Sequence, residues 1–113
     1  MIRSRFFGGG APVCPIDFTE WQPTGIGNSP LPTISVNIKS QCGAVIDISS
    51  IEMYLDYVRI YPTASGGGSE ITITYDTPAP LGEWEQNAAH EVALWVKDVY
   101  GTIGAKTWYF WVK

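Results

Sequence analysis

Charge is scarce in this 113-residue chain: Asp, Glu, Lys and Arg make up only 16% of it, against about a quarter in an ordinary soluble domain. Seven basic and eleven acidic residues leave a formal charge of −4. That balance gives no general attraction to the phosphate backbone, so nucleic acid is not an expected partner. Histidine occurs once, as His90, and cysteine twice, as Cys14 and Cys42; no zinc spacing can be assembled from them, and no metal or other cofactor is expected. Long apolar runs are missing too. Met1 to Phe7 reach the triplet Gly8-Gly9-Gly10 without forming a signal-peptide core or a spanning helix, so with Met1 as the natural start neither secretion nor a membrane partner is expected. Pro, Gly and β-branched residues interrupt every window long enough for an amphipathic helix. One core is the expectation for this length, which excludes a multidomain enzyme.

Catalytic motifs are also lacking. No G-x-S-x-G elbow, Walker loop or H-E-x-x-H occurs, and a lone His90 does not make a constellation, so the chain reads as a non-enzyme. Glu83, Glu85 and Asp76 could converge as a glycosidase-type carboxylate pair, but a solvated acidic loop is the simpler reading. Asp47, Asp56 and Asp98 fall short of a calcium loop because no run of closely spaced oxygen ligands contains them.

What is abundant is aromatic surface and turn residues: five Trp, six Tyr and four Phe, with twelve Gly and eight Pro. A small domain has little interior in which to hide so many rings. Apolar and polar residues alternate with period two in Thr33 to Lys39, and the same phase puts Ile51, Met53 and Leu55 inward, then Ile71, Ile73 and Tyr75, then Val92, Leu94 and Val96, then Trp108, Phe110 and Val112. Strands around Ile16–Trp21 and Val58–Tyr61 complete about seven. Turn clusters separate them at 23–32, 40–44, 62–69, 78–82 and 98–104, with the glycines of 66–68 read as a long inter-strand loop. Such a pattern describes a single antiparallel β-sandwich over 16–113, preceded by a glycine-hinged arm over 1–15. If the strands flanking the Gly25–Asn28 turn run antiparallel, Cys14 lies opposite Cys42 and one disulfide is permitted. Such a bridge would contribute on the order of 3 kcal/mol by closing a loop of about 28 residues. A buried free thiol is the ordinary alternative.

The C-terminal two-thirds resembles the immunoglobulin-like domains of bacterial surface proteins and tailed-phage virions. Carrying the resemblance are Ile34-Ser35-Val36-Asn37-Ile38, then Val45-Ile46-Asp47-Ile48-Ser49-Ser50-Ile51 with Leu55-Asp56, His90-Glu91-Val92 through Val96-Lys97-Asp98, and Lys106-Thr107-Trp108-Tyr109-Phe110. The chain departs from the family pattern at Tyr57, where glycine is common, and at Thr102, where asparagine is. The resemblance implies an immunoglobulin-like sandwich and is nearly silent on activity. Short polar side chains at Asp47, Ser49 and Ser50 suit local backbone bonds at a strand entry, and Asp98 with Gly101 suits the closing of the last hairpin.

Strand phase divides the aromatics. With Val92, Leu94, Val96, Trp108, Phe110 and Val112 inside, Trp95, Tyr109 and Trp111 point out. An antiparallel register in which paired residue numbers sum to 204 sets Trp95 opposite Tyr109 and Ala93 opposite Trp111, and an immunoglobulin-type strand order adds Tyr54 to the same face. The resulting patch is on the order of several hundred Å², a size that marks an interface, unless a loop such as that of Trp84 covers it. Phe6 and Phe7 on the arm would anchor in an apolar pocket while Arg3 and Arg5 pair with acidic groups. The expected role is a structural or interaction module, most simply an accessory protein of a phage virion bound to capsid or tail proteins or to itself. The alternative is a carbohydrate- or protein-binding module of a cell-surface adhesin or secreted enzyme.

Overall fold

The computed structural model describes residues 14–81 and 89–112. Among them are nine strands and no helix, so none that is long and apolar enough to cross a membrane. In chain order they are β1 (Ile16–Gln22), β2 (Gly25–Asn28), β3 (Thr33–Ser40), β4 (Ile46–Leu55), β5 (Val58–Ile60), β6 (Thr63–Gly67), β7 (Glu70–Asp76), β8 (His90–Asp98) and β9 (Ile103–Val112). Two sheets form, one ordered β1-β3-β7-β6 and the other β2-β9-β8-β4-β5. The all-β, sandwich-like class expected from the alternation is present.

The core follows from that alternation. Ile34, Val36 and Ile38 of β3 and Ile71 and Ile73 of β7 are buried from one sheet; Met53, Val92, Leu94, Val96, Trp108, Phe110 and Val112 are buried from the other. Ile16, Phe18, Trp21 and Tyr75 pack half-buried around this cluster. Phase is corrected twice by bulges. In β1, Thr19 pairs with Asn37 and Gln22 with Ser35, so one residue is extra; Glu20 takes it up at φ 55°, and Trp21 turns inward after Phe18. In β4 the pairing with β8 shifts between Asp47 and Glu52. There Asp47 Oδ1 accepts the Ser49 N–H and hydroxyl, and the Ser50 hydroxyl accepts the Lys97 N–H at 2.9 Å. The polar run at 47–50 is therefore a bulge stitched by its own side chains.

Three sequence expectations are corrected. Strands number nine among the described residues, not seven. Gly25–Asn28, expected as a turn, is a strand paired in parallel with β9, because the Asn28 amide donates to Thr24, Gly25 and Trp111 carbonyls and pins the segment to that edge. The 62–69 segment is not a long loop: β6 pairs with β7 up to Gly67↔Glu70, and Gly68 takes the positive φ that this two-residue reversal needs. Cys14 and Cys42 are joined in a disulfide, Cα atoms 5.2 Å apart, beside the antiparallel β1–β3 pair in which Ile16 faces Ser40.

Candidate functional site

β8 lies in the middle of the five-stranded sheet, with β4 on one side and β9 on the other. Its outward residues Glu91, Ala93, Trp95 and Lys97 therefore form the axis of that sheet's outer face. Ala93 sits between Tyr54 and Thr107, and Trp95 between Glu52 and Ala105. The small Ala93 side chain leaves a hollow there. Ser50, Glu52, Tyr54, Tyr57, Glu91, Trp95, Lys97, Ile103 and Thr107 surround it, and the groove they bound has a volume of about 720 Å³.

The rings in it are held in definite relations. Tyr54 and Trp95 meet edge to face, 5.8 Å apart at 83°, the arrangement their quadrupoles favour. Arg59, opposite Tyr54 on β5, sits 5.8 Å over the Tyr54 ring and 5.1 Å over that of Tyr61. Trp95 stays 43% exposed and Tyr109 49% exposed, although neither lies on an outer strand. Tyr109 donates its hydroxyl to Glu91 at 3.1 Å. That hydrogen bond, and the negative charge behind it, raise the Tyr109 phenol above its ordinary value of 10.0.

The far end is locked by the β4–β5 turn, in which Leu55 pairs with Val58. Both turn residues have positive φ, Asp56 at 52° and Tyr57 at 70°, as a two-residue hairpin with right-handed twist requires. Asp56 bolts the turn to β8: its N–H donates to the Glu91 carbonyl, its Oδ1 accepts the Glu91 N–H at 2.8 Å, and its Oδ2 lies 2.6 Å from His90 Nδ1. Tyr57, 83% exposed, is thereby fixed at the groove's rim.

Of the residues expected on this face, Tyr54 and Trp95 line the groove; Tyr109 stands beside it through Glu91. Trp111 does not join them. It is half-buried, beyond the last β8–β9 pair at Phe110↔His90, next to β2. The β8–β9 register explains this. Trp95 faces Ala105, not Tyr109, and Ala93 faces Thr107, not Trp111, because Asp98 closes a tighter turn than the expected register needs: its Oδ1 accepts the N–H groups of Tyr100 and Thr102, and Gly101 takes φ 91°. Parity survives the slide, so each side chain keeps its face while its partner changes. Arg3, Arg5, Phe6 and Phe7, like Glu83, Trp84 and Glu85, lie outside the described residues.

Glu52, Tyr57, Glu91 and Ala93 were not among the site residues expected from the sequence. Outward parity marks Glu52, Glu91 and Ala93, but only the register shows that they surround one hollow. Asp47, Asp56 and Asp98 are each committed to a turn or bulge of their own. Among the described residues, no group of three or more His, Cys, Asp or Glu side chains is placed to hold a metal ion.

No protein-family model matches the sequence, and no curated protein matches it either. Among solved structures, the chain is similar to one described as the crystal structure of CopC from Methylosinus trichosporium OB3b, with a TM-score of 0.51 and 17% identity over 88% of this chain and 93% of that one. At that identity the likeness shows a shared fold and nothing about the side chains each protein carries. What the groove does follows from its own residues.

Proposed function

We propose that this chain is a non-enzymatic interaction module with an immunoglobulin-like sandwich, and that it docks on a protein partner through the grooved aromatic face. The strand order supports the immunoglobulin-like part. Read as A, A′, B, C, C′, D, E, F and G in chain order, the sheets are A-B-E-D and A′-G-F-C-C′, the two-sheet arrangement of that fold with its extra C′ strand. The disulfide departs from the antibody pattern, since it ties the residues just before β1 to the β3–β4 loop instead of bridging the sheets.

One observation carries the docking reading: Trp95, on the central strand of a sheet, keeps 43% of its surface exposed beside a hollow floored by Ala93. Large rings in such a position, set around a concavity, are the usual energetic centre of a protein interface. Tyr57 points the same way, because a bulky residue held at positive φ costs about 1 kcal/mol or more relative to glycine, and such strain concentrates at functional sites. On this reading the chain is an accessory protein of a phage virion, with the arm carrying Arg3, Arg5, Phe6 and Phe7 as a second anchor. Gradient sedimentation of assembled particles tests it. The wild-type chain should co-sediment with particles, and Trp95→Ala or the Phe6→Ala/Phe7→Ala double variant should lower its occupancy at least tenfold; unchanged occupancy in all of them would remove the docking role.

A second reading rests on the perpendicular Tyr54 and Trp95 rings flanked by the Ser50 and Thr107 hydroxyls, surfaces that also suit stacking on a sugar, as in an adhesin or the binding module of a secreted enzyme. Glycan-array binding lost on Trp95→Ala, with no particle association, would favour it.

A further inference from the structure

We infer that the groove receives a cationic side chain of its protein partner, a guanidinium or ammonium seated over the Trp95 ring between Glu52 and Glu91. This goes further than the docking reading and rests on it. The charge pattern selects the occupant. Glu52 and Glu91 both line the hollow, one beside Trp95 and the other beside Tyr109. Among the described residues, the one ion pair within 4.0 Å is that of His90 with Asp56, so neither groove carboxylate is neutralised by a protein cation. Each instead takes a tyrosine hydroxyl, Glu52 from Tyr54 at 3.4 Å and Glu91 from Tyr109 at 3.1 Å, which leaves its charge in place and aims it. Lys97 lies two residues beyond Trp95, toward the Ser50 and Ile103 end, so the space over Ala93 is the acidic part of the groove.

Aromatic faces add to this. A cation within about 6 Å of a ring centroid is attracted by the ring quadrupole, most strongly for Trp. The sheet already uses the interaction where its own cations reach: Arg59 lies over Tyr54, and Lys106 lies 3.6 Å over Trp21 at the β9 edge. Trp95 has no such cation among the described contacts, and its exposed ring adjoins the carboxylates. A cationic side chain there would meet a ring face and two carboxylates at once, whereas a neutral sugar would leave both charges uncompensated.

The test titrates the full chain with a tetra-arginine peptide and with its tetra-citrulline counterpart, which has nearly the same shape and no charge, while following the Trp95 Nε1–H resonance by NMR. The arginine peptide should give a saturable shift, at least tenfold tighter than the citrulline peptide and weakened as salt is raised. Glu52→Gln with Glu91→Gln should reduce that affinity at least tenfold while the spectrum stays that of a folded chain. Equal binding of the two peptides, no shift with either, or saturation by a neutral oligosaccharide alone would overturn the inference. A tenfold gain in affinity on Arg3→Gln with Arg5→Gln would mean that the chain's own arm fills the groove and would overturn an external occupant. If the arginine peptide fails but Trp95→Ala still removes the chain from particles, the cationic ligand is wrong and the docking face stands.

Discussion

Single residues on this face are placed by bonds that constrain their chemistry as well as their position. Tyr109 donates to Glu91, and its phenol is raised by that bond first and by the carboxylate's charge second. A raised value in the folded state favours the protonated phenol, so the contribution to stability is complete below the ordinary tyrosine range and is lost as pH climbs through the raised value. In a titration followed by phenolate absorbance, Tyr109 should therefore ionise later than an unperturbed tyrosine. Glu91→Gln should return it toward 10.0, because the neutral amide keeps an acceptor but removes the charge. Tyr57 makes the complementary case, since its φ of 70° is one that glycine adopts freely. Tyr57→Gly should leave stability unchanged or raise it by up to about 1 kcal/mol, measured by urea unfolding, while weakening partner binding. A clear loss of stability would show that the ring is a structural brace and not a rim held under strain for contact.

At the level of elements, alternation made most of the sandwich readable. Period two identified β3, β4, β7, β8 and β9 and the face each buries, since a half-buried strand has to alternate. What it missed depended on pairing across the chain. Gly-Ile-Gly-Asn at β2 has no strand period of its own; it is extended because β9 offers an edge and Asn28 supplies three side-chain bonds. The β8–β9 register turned on one carboxylate, Asp98, whose capping bonds shorten the turn and move Trp111 away from the groove. Tyr54 and Trp95 on a common face were legible from parity, whereas the hollow was not, because it needs Ala93 opposite Thr107 and Tyr57 held by a turn that its residue type disfavours. The Cys14–Cys42 bridge also acts at this scale. It closes a loop with a sequence separation of 28, so Cys14→Ser with Cys42→Ser should lower unfolding free energy by about 3 kcal/mol in the chain-entropy account. The urea midpoint should fall while the near-ultraviolet spectrum is retained; an unchanged midpoint would mean the unfolded chain is already compact around that loop.

For the molecule as a whole, the decisive division is between rings that hold the sandwich together and rings left on its surface. Phe110 is fully buried between the sheets, with His90 stacked 5.3 Å away, and Phe110→Ala should cost about 3–5 kcal/mol through lost burial and the cavity left behind. Trp95 is of comparable bulk but projects from the opposite side of its sheet, where its described ring contact is the perpendicular one with Tyr54. A pair of that kind adds roughly 0.5–1.5 kcal/mol to what the ring's own burial contributes, and with 43% of its surface exposed and no cavity left in the core Trp95→Ala should cost less than Phe110→Ala. Unfolded in urea under the same conditions, the Phe110 variant should therefore have the clearly lower midpoint, and only the Trp95 variant should lose its partner while remaining folded. Equal destabilisation would make Trp95 a brace of the sheet. The predicted inequality would instead mean that the fold stands without this ring, as the proposed docking role requires of a ring kept on the surface of a central strand.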